Sequence, residues 1–394
     1  MDQAKKNVGV LAACQGLLLT NNSVLITVNA LAGYALAPDK ALATLPVTTY
    51  FVGSALTAIP LSLLMKRIGR RAGFTMGGIG GILGSVLCAS AVLAHNFWLL
   101  CAGTLVLGSY LAAGQFYRFA AADAAAPDFR SKAISLVLAG GILGGFIGPE
   151  TSTLTKDVIA GHVYAGPYLS LIGFALLAIM LLRWIDIPPL SAAQRKAAGR
   201  PLAEIARQPA FLVAVLSGMV GYGVMNLLMT GTPLAMTAWH HPFSDAAFVI
   251  QWHVVGMYAP SFVTGALIHR FGLMTVMIAG VVLNVACVAV ALAGVDVMNF
   301  WLAMVLLGVG WNFMYVGATT LITECHTPVE RAKVQGVNDA AIFVTMVMSS
   351  LSAGALFTLQ GWQIMNMLAI PFLLVAGAAM GWLALARRRA QVAG

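Results

Sequence analysis

The sequence predicts an all-α membrane protein, with twelve transmembrane helices arranged as two pseudo-symmetric six-helix bundles. Three observations lead to this prediction: the composition, the spacing of the apolar runs and an internal repeat. Of the 394 residues, 60% are hydrophobic and only 9% are charged, and the mean hydropathy is +0.89. Because about a quarter of the residues in a soluble domain are charged, this composition indicates a polytopic membrane protein.

Twelve apolar runs are long enough to cross the hydrocarbon core, which takes about 20 helical residues. The first run follows a short basic segment, and the two together resemble a secretory signal. Similar runs recur along the whole chain, so we interpret it as a retained span. The predicted spans lie near 8–33, 44–65, 72–94, 97–118, 132–154, 163–184, 209–235, 245–268, 273–294, 297–324, 334–358 and 362–386.

The two halves of the chain resemble each other. The longest polar connection divides the chain into an N-terminal six-helix bundle (1–184), a cytoplasmic linker (185–208) and a C-terminal six-helix bundle (209–394). The sequence LMKRIG, ending at Gly69, corresponds to LIHRFG, ending at Gly272, and NFWL occurs twice at the same offset of 203 residues. Two six-span repeats are typical of transporters that work by alternating access, with the site between the halves.

Lysine and arginine predict which way the chain faces. With the N-terminus inside, 20 of the 22 Lys and Arg residues fall in inner segments, and only Lys40 and Lys156 fall outside. Cytoplasmic loops of membrane proteins carry this excess, so both termini are predicted to be cytoplasmic. The net charge of +9 is then explained by orientation and by contact with the anionic lipids of the bilayer, not by nucleic-acid binding.

Two short motifs in adjacent spans predict a metal site. Met225 and Met229 form an M-x-x-x-M pair in the seventh span, and His253 and Met257 form an H-x-x-x-M pair that begins 24 residues after Met229. Each i, i+4 pair places two side chains on one face of a helix. Thioether and imidazole are the neutral ligands that a soft cation such as Cu(I) prefers.

Depth in the membrane supports this interpretation. At about 1.5 Å per residue, Met225 and His253 lie at comparable depth in the membrane. The four side chains could therefore form successive metal ligands along a transport path. His253 is the only one of seven histidines clearly inside a span, and an intramembrane ionisable group suggests function. The alternative, in which the methionines fill gaps between packed helices, stays open.

Four charged residues are candidates for coupling or gating. Glu150 lies near the outer end of span five and Asp339 in the inner part of span eleven. Either carboxylate could carry a coupling proton, and Asp339 could instead brace a helix end. Arg118 and Asp123 flank the inner end of span four, where we expect a structural ion pair that gates the inner side.

The loop between spans two and three resembles a motif of the major facilitator superfamily. Residues 60–71 (PLSLLMKRIGRR) follow its usual form, G-x-x-x-D-R-x-G-R-R. Lys66 stands at the aspartate position, so this conformational loop departs from the family's usual charge relay there. Residues 144–149 (GGFIGP) partly resemble the helix-five motif of antiporters, and helix packing is the favoured explanation of that match. The positions that match the loop motif are Arg67, Gly69, Arg70 and Arg71.

The segments around the Met and His pairs resemble the CcoA-like copper importers, a branch of this superfamily with M-x-x-x-M in helix seven and H-x-x-x-M in helix eight. The resemblance implies that copper is the transported substrate and enters a bacterial cytoplasm across the inner membrane. It implies a cytoplasmic copper acceptor as a partner, and we expect a monomer. By this resemblance the copper-binding positions are Met225, Met229, His253 and Met257.

Two other functions stay open. A sister branch carries riboflavin, and a carrier of riboflavin or an exported drug would use neutral polar and aromatic side chains instead. A copper sensor or oxidase-assembly factor would bind the metal without moving it. The sequence has no G-x-x-x-x-G-K-[ST] motif and no catalytic constellation, so we expect neither an enzyme nor a bound cofactor. The side chains available to an organic solute are Trp252, Tyr222, Tyr258, Asn21, Asn22 and Gln115.

Overall fold

The computed structural model describes residues 3–39, 42–197 and 199–393, and it is helical apart from short connections, with a 3-10 turn at Leu182–Trp184. Lys40, predicted to face outward, lies outside the described residues. In chain order, the helices of the described residues are α1 (Gln3–Leu36), α2 (Leu45–Ile68), α3 (Arg70–Leu93), α4 (Phe97–Gln115), α5 (Tyr117–Ala124), α6 (Arg130–Ala139), α7 (Ile142–Thr155), α8 (Ala165–Leu181), α9 (Ala192–Lys196), α10 (Leu202–Ala206), α11 (Pro209–Ala238), α12 (Phe243–Tyr258), α13 (Ser261–Phe271), α14 (Leu273–Ala293), α15 (Val297–Glu324), α16 (Arg331–Met367) and α17 (Ala369–Ala393).

The helices include most of the predicted membrane spans. Ten helical stretches of the described residues are long and apolar enough to cross a membrane, and one bent pair brings the number to eleven. The longest stretch, Arg331–Arg389, has 59 residues, or nearly three hydrocarbon thicknesses at about 1.5 Å per residue. Gly361 interrupts it with φ 77° and ψ 174°. The last two predicted spans lie on either side of this glycine, so the stretch contains both.

Two other predicted spans are interrupted rather than continuous. The eighth consists of α12 and α13, which are bent by 41° where they meet. Pro260 lies at this break and has no N–H to donate to the carbonyl of Gly256. The fifth consists of α6 and α7, which are separated at Gly140 and Gly141, where glycine disfavours a continuous helix.

Unit 1 of the fold comprises Met1–Ala125, Gly140–Gly199 and Pro328–Val344. In this unit a stripe of glycines on α3 faces α4. A Cβ at Gly77 would lie 2.1 Å from the Ala113 side chain, and a Cβ at Gly84 would lie 2.7 Å from Leu107. Such small residues let two helix backbones approach closely, and the resulting van der Waals packing is one of the forces that associate helices within a bilayer.

Unit 2 comprises Ala126–Ala139, Arg200–Thr327 and Thr345–Gly394. Helix α15 packs against α11, α12 and α14 in this unit. The units differ from the two sequence halves in short segments, because residues 126–139 belong to unit 2 and residues 328–344 to unit 1. The division of the chain at the 185–208 linker stays a prediction.

The repeated loop motif has the same backbone in both copies. Gly69 has φ 91° and ψ 161°, and Gly272, at the predicted offset, has φ 88° and ψ 151°. Both glycines end one helix and begin the next. This conformation is essentially restricted to glycine, which explains why Gly recurs at this position of the repeat.

Candidate functional site

The two methionines of the predicted metal site lie on α11. Met225 is buried, and Met229, one turn further along, is half-buried. Tyr222 precedes Met225 by three residues, so these side chains share one face of the helix. Asn226 fastens α11 to α16, because its amide nitrogen donates to the hydroxyl of Ser349 at 2.9 Å. This anchor fixes the rotation of α11 and therefore the direction of the Met225 face.

His253 on α12 is fully buried and has a defined tautomer. Its Nδ1 lies 2.8 Å from the carbonyl oxygen of Met304 on α15. Because a carbonyl can only accept, Nδ1 carries the proton, and the neutral ring keeps a lone pair on Nε2. Nε2 is buried and has no hydrogen-bond partner among the described residues. Metal-binding histidines typically have this arrangement, in which one ring nitrogen donates to a carbonyl and the other is the ligand.

A close approach of α12 and α15 makes the His253 hydrogen bond possible. A Cβ at Gly308 would lie 2.6 Å from the carbonyl oxygen of His253 and 2.7 Å from the amide nitrogen of Met257. A Cβ at Gly256 would lie 2.9 Å from the carbonyl oxygen of Val305. Any side chain at these two glycines would push the helices apart. The two glycines therefore keep α15 close enough for His253 to bond to the carbonyl oxygen of Met304.

Met257, the fourth predicted ligand, is buried near the end of α12. Its carbonyl oxygen accepts a hydrogen bond from the Asn312 amide at 2.7 Å, and the same amide donates to the Ser261 hydroxyl at 2.5 Å. The Thr264 hydroxyl donates to the side-chain oxygen Oδ1 of Asn312 at 2.7 Å. Asn312 therefore supplies hydrogen bonds on both sides of the break at Pro260.

Helix α15 contributes residues to the site that the sequence analysis missed. The sulfur of Met304 accepts a hydrogen bond from the Thr232 hydroxyl on α11 at 3.3 Å, so Met304 links α11 to the helix that holds His253. The sequence does contain a signal that could have indicated this face of α15, namely the helical spacing of its residues. The side chains of the face recur at i, i+4, i+7 and i+11: Met304, Gly308, Trp311 and Tyr315.

Four buried aromatic rings form a cluster beside these residues. Tyr222 stands edge-on to Trp311 at 5.1 Å and to Tyr315 at 4.9 Å, while Trp311 and Tyr315 stack at 4.9 Å between ring centroids. Tyr258 packs edge-on against Trp311 at 5.8 Å. Trp252, the third aromatic predicted for an organic solute, is 41% exposed and does not belong to this cluster. The aromatic cluster therefore consists of Tyr222, Tyr258, Trp311 and Tyr315.

The site offers two kinds of chemistry. An imidazole lone pair and thioether sulfurs on adjacent helices suit a soft monovalent metal. A buried aromatic cluster suits a flat apolar ring system, which binds by stacking and edge contacts. The described residues hold no group of three or more His, Cys, Asp or Glu side chains placed to bind a metal.

Arg118 and Asp339, two of the coupling and gating candidates, are ion-paired in unit 1. Arg118 Nη2 lies 2.5 Å from Asp339 Oδ1, and both side chains are buried. Arg118 also donates to the side-chain oxygen of Gln115 at 2.9 Å, and Asn338 donates to Asp339 at 2.9 Å. The structure pairs Arg118 with Asp339, a residue far along the chain, and the expected ion pair of Arg118 with Asp123 stays a prediction.

Asp123 belongs to a second ionic cluster in unit 1. Its carboxylate lies 2.8 Å from Arg70 and 3.3 Å from Arg331, and Arg70 also donates to the Gln335 side chain at 2.5 Å. Of the loop-motif positions, Arg70 is thus buried in this cluster. Lys66, at the position where the motif has aspartate, donates to the carbonyl of Ala197 at 2.7 Å.

The remaining candidates are exposed. Arg67 and Arg71 of the conformational loop are exposed, and Gly69 between them makes the turn described above. Glu150 is exposed on α7, directly after Pro149. A coupling role for Glu150 stays a prediction.

Comparison with known proteins identifies the family. The profile of the Major Facilitator Superfamily matches residues 11–257 and 227–393 of this chain. The chain belongs to the major facilitator superfamily. The human organic anion transporter MFSD10 has the same fold, with a TM-score of 0.77 at 13% identity over 96% of this chain and 100% of that one. This chain is accordingly a multi-pass membrane transporter of the superfamily and not an enzyme.

Two bacterial members of the superfamily are similar in sequence. The riboflavin transporter RfnT of Brucella anthropi is 40% identical over 370 residues, which cover 93% of each chain. The MFS-type transporter YddS of Bacillus subtilis, described as uncharacterized, is 32% identical over 84% of this chain and 79% of its own length.

Proposed function

We propose that this chain is a secondary carrier that takes up riboflavin or a closely related flavin. The observation that carries the proposal is the riboflavin transporter of Brucella anthropi, which is 40% identical over 93% of both chains. This relative favours the riboflavin alternative of the sequence analysis over copper import. In our proposal the carrier lies in a bacterial inner membrane with both termini in the cytoplasm, as the distribution of Lys and Arg indicates.

The chemistry of unit 2 is compatible with a flavin. The aromatic cluster consists of buried rings in stacked and edge-on contacts, and such faces bind a planar ring system well. Small-molecule sites are typically lined by aromatic side chains with a few placed polar groups. His253 Nε2 is one such group, since its lone pair can accept a hydrogen bond from a ring N–H.

Uptake of labelled riboflavin by cells that cannot synthesise it or import it tests the proposal. Expression of this chain should raise uptake, and Tyr258→Leu should lower it by removing a ring of the aromatic cluster. Trp252→Leu is the matched control, because Trp252 is partly exposed outside that cluster, and its uptake should stay near that of the wild type. No increase in uptake by the wild-type chain, at confirmed membrane abundance, would overturn the proposal.

Copper import is the second candidate, and the His253 geometry favours it. A buried imidazole with its Nδ1 proton on a carbonyl and its Nε2 lone pair without a partner among the described residues resembles a preorganised metal ligand. Two of the three predicted thioether ligands, Met225 and Met257, are buried as well. Neutral ligands of this kind suit Cu(I).

Radioactive copper uptake by cells that lack their own importer tests this candidate. The variants are His253→Ala/Met225→Ala, which removes two ligands, and His253→Asn, whose amide N–H takes the place of Nδ1–H but which has no counterpart of Nε2. Copper uptake that both variants lose would support copper at this site. Equal uptake with and without the ligands, or none by the wild type, would exclude copper import at these residues.

A further inference from the structure

Two histidines lie side by side at one end of unit 1. His95 follows the end of α3 and is exposed, and His162 precedes the start of α8 and is half-buried. Helix α3 packs against α8. The two imidazole rings are 5.5 Å apart between centroids, with an angle of 41° between their planes. The fold thus pairs two imidazoles that are far apart in the chain, and neither belongs to the aromatic cluster or to the predicted Met and His metal site.

The backbone at the end of α3 fixes the position of His95. The N–H of Asn96 donates to the carbonyl of Ala91 at 2.9 Å, and the N–H of His95 donates to the carbonyl of Val92 at 3.2 Å. These two bonds form a Schellman motif, in which the left-handed position is usually glycine. His95 occupies that position with φ 49°. A side chain that can bind a metal therefore stands where glycine would be less strained.

The loop 156–164 between α7 and α8 holds His162 through its backbone. The N–H of His162 donates to the carbonyl of Ile159 at 3.1 Å, and its carbonyl accepts from the N–H of Ala165 at 3.2 Å. The ring atom Nδ1 of His162 is buried and has no hydrogen-bond partner among the described residues. A buried polar atom of this kind is uncommon in native proteins and requires an explanation.

The distance between the two rings suits one shared metal ion. Zn–N bonds are about 2.0–2.1 Å long, so two imidazoles that bind the same ion have their ring centres about 5–6 Å apart. The measured 5.5 Å lies within this range. Imidazole is the commonest metal ligand among the side chains, and it suits Zn²⁺ or Cu²⁺ better than Mg²⁺ or Ca²⁺.

We propose that His95 and His162 form a binding site for a divalent transition-metal ion such as Zn²⁺ or Cu²⁺. His162 binds through Nδ1, which gains the partner that it lacks among the described residues. The described residues add no third His, Cys, Asp or Glu to this pair, so water completes the coordination on the side where His95 is exposed. The bound ion ties the end of α3 to the start of α8 and stabilises unit 1.

The paired histidines differ in chemistry from His253. They have no thioether beside them in the proposed ligand set, and His95 is open to water, so they suit a hydrated divalent ion better than Cu(I). In the proposed orientation, with both termini in the cytoplasm, this end of unit 1 faces outward. The inference therefore does not depend on which solute the carrier moves.

Calorimetric titration of the purified full-length protein with ZnCl₂ measures binding, with an affinity tag that contains no histidine. His95→Gly removes one imidazole, and His162→Phe removes the other but keeps a flat ring. Each should weaken Zn²⁺ binding at least about tenfold, since even changes outside the ligands themselves weaken metal sites by about 10–100-fold. His269→Asn is the matched control, because His269 is exposed on α13 in unit 2, and its Zn²⁺ affinity should equal that of the wild type.

Thermal unfolding separates a ligand from a residue that only packs. Without metal, His95→Gly should unfold at the temperature of the wild type or higher, because glycine adopts the φ of 49° without strain. If His95 served only to pack against His162, the same variant would be less stable. With Zn²⁺ at about 100 times its dissociation constant, the unfolding temperature of the wild type should rise by about 2–4 °C. His95→Gly should show a much smaller rise.

The outcomes decide the site without reference to transport. A wild-type protein that binds no Zn²⁺ would overturn it. Zn²⁺ affinity that survives both His95→Gly and His162→Phe, or that falls equally in His269→Asn, would overturn it as well. Riboflavin uptake is measured separately, so the proposed function stands or falls independently of this site.

Discussion

The Arg118 guanidinium and the Asp339 carboxylate are 2.5 Å apart, although 221 residues separate them in the chain. Both side chains are almost completely buried, at 1% and 2% exposure. Isolated charges are costly in a membrane-spanning segment, and they usually occur there as pairs. Each of these two residues therefore offsets the energetic cost of burying the charge of the other.

Removal of one partner should destabilise the protein more than removal of both. We expect Arg118→Met or Asp339→Leu alone to lower the free energy of unfolding by about 3–5 kcal/mol, because each removes the oppositely charged partner of a buried charge. The Arg118→Met/Asp339→Leu double variant should recover most of this loss. Unfolding in detergent of the purified wild type, the two single variants and the double variant measures these free energies. A loss in the double variant equal to the sum of the two single losses would contradict the pairing.

The Gly308 contact should control the position of His253. In Gly308→Ala the added Cβ would lie 2.6 Å from the carbonyl oxygen of His253, so α12 must move away from α15. We expect a loss of about 1–3 kcal/mol of stability, typical of overpacking, together with a loss of transport. Gly354→Ala is the control, since a Cβ there meets nothing within 4 Å. Transport and stability equal to those of Gly354→Ala would show that the close approach is dispensable.

Local patterns in the sequence predicted what is local in the structure. Runs of apolar residues predicted the helices, and the i, i+4 spacing placed His253 and Met257 on one helix turn. Pro260 and Gly361 were visible in the sequence as helix breakers, yet both lie within or between long apolar runs, and hydropathy alone does not show whether a helix bends there.

Contacts between distant helices could not be predicted from one sequence. The contact of Arg118 with Asp339 is determined by how α16 packs in unit 1, and 221 residues separate the two along the chain. The tautomer of His253 depends on the backbone carbonyl of Met304, and every residue has a carbonyl. Side-chain identity therefore contains no signal for this bond.

The repeated glycines should be equally intolerant of substitution. Gly69→Ala and Gly272→Ala each place a Cβ on a residue with φ near 90°, which costs about 1–3 kcal/mol. The cost comes from the backbone alone, because a Cβ at either position meets no atom closer than 3.9 Å. Gly381→Ala, in α17 and without close neighbours, should be neutral or slightly stabilising. Unfolding measurements on the three variants check this, and a tolerated Gly272→Ala would contradict the structural equivalence of the two loops.

The Cys325 thiol should be unreactive in the folded protein. Cys325 follows the last residue of α15, is 1% exposed, and burial raises the pKa of its thiol to about 12. At pH 8 only about one thiol in 10⁴ would be ionised, against about one in four for an exposed cysteine. The pKa of the Cys325 thiol is higher in the folded state than in the unfolded state, so ionisation of this thiol favours unfolding. The thiol therefore does not affect the free energy of unfolding at pH values well below 9, and it lowers that free energy as the pH rises towards 12.

Maleimide labelling at pH 8, followed by peptide mass spectrometry, measures this reactivity. We expect Cys325 to react at least about 100-fold more slowly in the native protein than after denaturation, since the reactive form is the thiolate. Ala126→Cys, at an exposed position, is the control and should react quickly in the native protein. Rapid native labelling of Cys325 would mean that the end of α15 opens to solvent. The hydrogen bonds from Arg200 and Gln208 to the Cys325 carbonyl would then not hold this end closed.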